Sequence, residues 1–122
     1  MIQSFRDLVA WQKAMDFVEQ VYLATACFPP DERFGLTAQT RRSAVGVPSN
    51  IAEGRGRRTS RDFLNFLSIA YGSLAEVQTQ LEIANRLKFV DSQVVSRLQG
   101  LANEVGRLVN GLASSIRRRS SS

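Results

Sequence analysis

Arginine is the residue type with the most chemistry to offer in this chain. Residues 41–61 hold Arg41, Arg42, Arg55, Arg57, Arg58 and Arg61 against one acid, Glu53. A second basic group, Arg117-Arg118-Arg119, lies near the C-terminal end. There are 14 arginines and only two lysines, Lys13 and Lys88. A guanidinium is a planar fork of donors that matches phosphate or carboxylate with two parallel hydrogen bonds, so this preference favours such partners. Arg55, Arg57, Arg58 and Arg61 are interleaved with Gly54 and Gly56, which leave the backbone open, and they precede the start of a helix. Free amides and a partial positive charge at that start suit a phosphate. The plain alternative is a solvated turn whose charges keep the protein soluble, and the residues alone weigh equally for both.

Other chemistries are pruned by what is missing. The sequence contains no histidine and a single cysteine, Cys27. Imidazole acid–base work and His-dependent triads are therefore excluded, as is an internal disulfide. Cys27 sits between Ala26 and Phe28 at an expected apolar helix end, where a thiol is inert. A metal site would have to draw on carboxylates such as Glu53 and Glu76, which read more simply as ion partners of Arg42. No catalytic residue, metal or cofactor is expected, and the chain does not read as an enzyme.

The chain is 122 residues long, enough for one domain with one core. Its formal charge is +5, and all of that excess falls within residues 41–61. No apolar run approaches the roughly 18 residues that a membrane span needs. The first seven residues lack the apolar core of a signal peptide, so the cytoplasm is the expected compartment and no membrane partner is expected.

Periodicity predicts an all-α fold, an antiparallel up-down-up-down four-helix bundle over residues 1–116. The first helix is expected over about 5–28, capped by Ser4, with Leu8, Trp11, Met15, Val18 and Tyr22 as its apolar stripe. The second spans about 32–55, with acids at its start, Leu36, Ala44, Val47 and Ile51 facing inward, and Pro48 kinking what remains one helix. The third, about 60–88, is capped by Thr59 and carries Phe63, Leu67, Ala70, Leu74, Val77, Leu81 and Ala84. Asp91 caps the fourth, about 92–114, with Val94, Leu98, Leu101, Val105, Leu108 and Leu112 inward. Residues 117–122, rich in Arg and Ser, are expected to be a disordered tail.

The middle helices also carry polar seams at the same 3-4 spacing. On the second these are Gln39, Arg42, Gly46, Ser49 and Glu53, with Asn50 alongside; on the third, Asn65, Ser68, Gly72, Glu76 and Thr79. A solvated face is usually rich in Lys and Glu, whereas these residues are mostly small or amide-bearing. They suit a buried polar contact as well as a solvated face, either inside the bundle or between subunits.

These runs carry a family resemblance. Gln39-Thr40-Arg41-Arg42-Ser43-Ala44-Val45, Pro48-Ser49-Asn50-Ile51-Ala52-Glu53-Gly54 and Ile69-Ala70-Tyr71-Gly72-Ser73-Leu74-Ala75-Glu76 read together with Phe5-Arg6-Asp7-Leu8 and Trp11-Gln12-Lys13-Ala14. Over about residues 4–112 the chain resembles the bacterial four-helix-bundle proteins named after open reading frames in 23S rRNA intervening sequences. Diversity-generating retroelement accessory proteins look like more distant relatives. The resemblance implies a bundle assembled as a homopentameric ring. For the accessory relatives it also implies a basic surface that binds nucleic acid and a reverse-transcriptase partner. It carries over no catalytic residues.

Two functions follow. One is a basic oligomer that binds RNA or DNA through phosphate contacts at Arg55, Arg57, Arg58 and Arg61, assisted by Arg117, Arg118 and Arg119. No recognition helix or aromatic stacking platform is legible, so no sequence reading is expected. The other is an assembly module that presents its surface to a protein partner.

Overall fold

The computed structural model describes residues 4–121, and its ordered elements are all helical. Four α-helices follow one another: α1 (Val9–Thr25), α2 (Leu36–Arg55), α3 (Ser60–Arg86) and α4 (Ser92–Ser121). Each packs on its neighbours in sequence, and α1 closes the bundle against α4. This is the expected antiparallel four-helix bundle, because turns this short can only join antiparallel neighbours. No helix among the described residues is long and apolar enough to cross a membrane.

The helix ends depart from the sequence reading for local reasons. Ser4 caps a short 3-10 turn, Phe5–Asp7, accepting from the Arg6 amide at 3.1 Å; it does not cap α1. Leu8 is extended and turns its side chain into the core, so α1 begins only at Val9. Pro30–Glu32 forms another 3-10 turn, and the Glu32 carboxylate accepts from the Leu36 amide at 2.9 Å. Glu32 thus caps α2 from outside. The α2 helix runs unbroken through Pro48, which is buried.

At the far end of α3, Lys88 takes a left-handed conformation, φ 61°. Its amide donates to Asn85 O at 3.1 Å and the Phe89 amide to Ala84 O at 2.9 Å. This is a Schellman closure with lysine where glycine is usual. It stops α3 at Arg86 and turns Phe89 back against Phe28, ring centroids 5.9 Å apart.

The core follows the expected stripes of α2 and α3 except at their first members, Leu36 and Phe63, which are half-buried, and it corrects those of α1 and α4. Leu67, Ala70, Leu74, Val77, Leu81 and Ala84 are buried on α3, as are Ala44, Val47 and Ile51 on α2. On α1 the buried positions are Ala10, Ala14, Phe17, Val21 and Ala24, while Met15 and Tyr22 are exposed and Trp11 and Val18 half-buried. The larger side chains misled the reading: alanines face inward because they let α1 lie close to its neighbours, and the bulkier residues flank that contact. On α4, Val95, Leu98, Ala102, Val105, Val109, Ala113 and Ile116 are buried, with Val94, Leu101, Leu108 and Leu112 half-buried at the margin.

The expected disordered tail is instead the last part of α4, which continues to Ser121. Ile116 extends the inward stripe one turn further and is only 8% exposed, which anchors the helix beyond residue 114. Arginine is a good helix former, so nothing in Arg117-Arg118-Arg119 opposes continuation.

Leu74→Ala should lower stability by about 2–5 kcal/mol, the cost of emptying a fully buried leucine site. Leu101→Ala, at a half-buried position, should cost clearly less, and Lys88→Gly should add up to about 1 kcal/mol by relieving the left-handed lysine. Urea denaturation midpoints of the three variants check this order; equal losses at Leu74 and Leu101 would contradict the packing described.

Candidate nucleic-acid interface

The alternating topology brings the start of α1, the α2–α3 turn and the end of α4 to one end of the bundle. That end carries Arg6, Arg55, Arg57, Arg58, Arg61, Arg117, Arg118 and Arg119 against Asp7, Glu53 and Asp62. The remainder of the chain is balanced, eight basic residues against eight acidic. The whole net charge of +5 therefore lies at one pole.

Which residues stand there follows from how closely α2 approaches α3. A Cβ placed on Gly54 would lie 2.8 Å from Phe66 Cβ, 3.0 Å from Phe63 Cδ1 and 3.3 Å from Phe63 O. One turn or two earlier, a Cβ on Gly46 would lie 3.0 Å from Ser73 Oγ. Two helices pressed this tightly leave only Gly56-Arg57-Arg58-Thr59 to reverse the chain between α2 and α3. Thr59 then caps α3, its hydroxyl accepting from the Asp62 amide at 3.1 Å.

Arg55, Arg57, Arg58 and Arg119 converge on a single cavity of about 620 Å³, together with Thr59 and Ser60. Its other lining is apolar: Leu8, Phe63, Leu112 and Ile116. Of the four turn arginines singled out in the sequence, Arg55, Arg57 and Arg58 line this cavity and Arg61 does not, while the contribution of α4 was hidden by the expectation that residues 117–122 are disordered. Arg119 is part of this cavity; Arg61, Arg117 and Arg118 lie outside its lining on the same end. Arg57 is held in place, its guanidinium 3.0 Å from Glu53 Oε2 and 4.7 Å above the Phe66 ring centroid. Arg58 and Arg61 have no hydrogen bond or ion pair among the described residues. Cations at the ends of α2 and α4 also complement those helix dipoles, so part of this charge stabilises the helices themselves.

Other candidates resolve differently. Arg41 is structural: its Nε donates to Thr25 Oγ1 at 2.8 Å, its NH2 donates to Tyr22 O at 3.3 Å, and it stacks over the Tyr22 ring at 4.6 Å. It ties α2 to the last turn of α1. Glu53 and Glu76 are not brought together; Glu53 pairs with Arg57, not Arg42, and Glu76 lines a separate cavity. Cys27 is exposed beyond the end of α1, and Phe28 takes the buried place expected of its surroundings.

The polar seams are not buried inside the bundle. Gln39, Arg42, Ser49, Glu53, Asn65, Gly72 and Glu76 are all exposed, and a Cβ on Gly72 would meet nothing within 4 Å. Asn50 is half-buried because its amide donates to Gly46 O at 2.7 Å. Only part of the two seams meets: Gln39, Arg42 and Glu76 line a cavity of about 390 Å³ with Ser43, Ser73 and Gln80. Beside it, between α1 and α2, lies an apolar groove that the sequence did not reveal, formed by Trp11, Met15, Val18, Val45, Pro48 and Ala52 with Ser49. The misassigned stripe of α1 was the signal that could have found it.

Comparison with known proteins adds a family. Residues 6–111 match the family described as 23S rRNA-intervening sequence protein. Among solved structures, the fold is similar to a protein of unknown function from the S23 ribosomal protein family of Bacteroides thetaiotaomicron. That match has a TM-score of 0.79 and 21% identity, and covers 86% of this chain and 98% of the other. No curated protein matches.

Gly54→Ala should destabilise the bundle by about 1–3 kcal/mol despite alanine's better helix propensity, because the added methyl overpacks the α2–α3 contact. Gly72→Ala, in open space on an exposed helix, should not destabilise the isolated bundle. Thermal melts of both variants test whether the contact that orders the arginine turn is as tight as described.

Proposed function

This chain belongs to the 23S rRNA-intervening sequence protein family, and from that premise we propose that it is a non-catalytic, oligomeric, basic bundle that binds nucleic acid through phosphate contacts. The observation that carries the reading is the convergence of Arg55, Arg57, Arg58 and Arg119, from two separate segments, on one cavity at the basic pole. A guanidinium matches phosphate oxygens with paired hydrogen bonds, and Arg57 is already oriented there by Glu53 and Phe66. Arg61, Arg117 and Arg118 extend the positive field beyond the cavity. Phosphate contacts position a protein without reading bases, so affinity depends little on sequence.

Assembly is the second part of the proposal, with five subunits as the number that the family resemblance implies. Support comes from two surfaces: the apolar groove at Trp11, Met15, Val18, Val45, Pro48 and Ala52, and the neighbouring seam. A ring would repeat the basic pole around its axis. An assembly module for a protein partner is the alternative reading, and the same groove is what favours it.

Binding should weaken steeply with salt, with a log–log slope of about −0.9 per phosphate contact on duplex DNA and about −0.7 on single strands. Replacing Arg55, Arg57, Arg58 and Arg61 with glutamine should flatten that slope while leaving the helical signal intact. Arg119→Gln should weaken binding more than Arg117→Gln, because Arg119 shares the cavity. Salt titrations against labelled RNA, single-stranded DNA and duplex DNA provide the measurement; one common slope for wild type and the quadruple variant would remove the arginines from the site.

Val45→Glu should convert the oligomer to monomers without loss of helicity, because a carboxylate in the groove cannot be desolvated unpaired. Sedimentation at micromolar concentration reads the outcome, and a monomeric wild type would refute assembly.

A further inference from the structure

Phosphate contacts leave half of the basic cavity unused. Behind the rim of Arg55, Arg57, Arg58 and Arg119 the lining is Leu8, Phe63, Leu112 and Ile116. Leu8 and Ile116 are fully packed into the core, whereas Phe63 and Leu112 are half-exposed and present apolar surface to the recess. A volume of about 620 Å³ falls within the range that encloses a small organic group. We propose that this recess takes an unpaired base of a single-stranded nucleic acid, whose flanking phosphates rest on the arginine rim. The proposal rests on the phosphate-binding reading above and specifies its ligand.

The apolar lining, the hydroxyls and the surrounding charge favour that occupant. A continuous duplex offers the rim only phosphates and sugars, with its bases stacked out of reach, and so gains nothing from an apolar recess. A splayed base brings a flat apolar face that side chains such as Phe63 can cover, as single-strand recognition generally requires. The rim of the recess also includes the hydroxyls of Thr59 and Ser60, which can meet the polar edge of a base. Finally, Arg61, Arg117 and Arg118 lie at the same pole outside the recess. That is more positive charge than one anionic head group can engage, and it fits a polyanion that runs past the cavity.

The test uses the full chain at fixed low salt and compares three labelled probes by anisotropy. They are a twelve-nucleotide thymidine strand, an abasic strand with the same number of phosphates, and a blunt hairpin duplex. The base-bearing strand should bind roughly 5- to 140-fold more tightly than the abasic one, the range that stacking of one base supplies. Phe63→Leu, which keeps apolar volume beside Gly54 but removes the ring, should narrow that ratio while leaving the salt slope unchanged. Leu112→Gln, in the same apolar lining, should do the same, and circular dichroism confirms that either variant is folded. Equal affinity for the base-bearing and abasic strands overturns base insertion but leaves phosphate binding standing. Failure of all three probes to bind overturns both. A fluorescent fatty acid that binds where the oligonucleotides do not would assign the recess to an anionic amphiphile instead.

Discussion

At Gly54 the backbone of α2 comes so near to α3 that a methyl group would collide with two phenylalanines, and at Gly46 the approach is nearly as close. That contact is the constraint on which the rest of the architecture depends. Helix separations of this kind are set by the side chains at the crossing, and glycine permits the shortest. It makes α2 and α3 the most extensively packed pair in the bundle. With their ends held together, the connecting turn must be short, and its arginines are held at the rim of a cavity rather than dispersed on a long loop. Phe63 and Phe66 serve both sides of the arrangement: they fill the space opposite Gly54, Phe66 carries the guanidinium of Arg57, and Phe63 lines the recess beneath it.

The bundle's topology then determines where charge accumulates. An up-down-up-down path places two helix starts and two helix ends at each pole, and here one pole carries the entire positive excess. The long α4 matters as much as the turn. Had it stopped near residue 114, the cavity would have lost Ile116 and Arg119 from its lining. The opposite pole is built for closure instead, with Phe28 against Phe89, the Lys88 turn, and Arg41 tying α2 to Tyr22 O and the Thr25 hydroxyl at the end of α1.

Between the poles, the side of the molecule is divided. The seam on α2 and α3 is polar, exposed and rich in small residues, while the adjoining α1–α2 groove is apolar. A surface of this mixed character, an apolar centre with a polar margin, has the anatomy of a subunit contact.

Much of this was legible in the sequence. The 3-4 spacing of Leu67 through Ala84 is legible because every inward position on α3 is apolar over about five turns, although Ile69, Tyr71 and Ile83 beside it are exposed. Thr59 and Asp91 mark helix starts by local hydrogen bonding that needs no tertiary partner. The arginine turn was visible as a composition, whereas Gly54, read there as opening the backbone, marks the tight approach of α2 to α3. What the sequence alone did not determine were the choices between two plausible faces. On α1, Trp11, Met15 and Val18 outweigh Ala10, Ala14 and Ala24 in hydrophobicity, yet the alanines face inward, because the space available between helices depends on all four together. Whether residues 117–121 are helical depends on Ile116 finding a buried site beside Leu8 and Phe63, a contact remote in sequence. For the same reason the arginines could be counted in advance, but only tertiary structure brought those of the turn and Arg119 around one apolar recess.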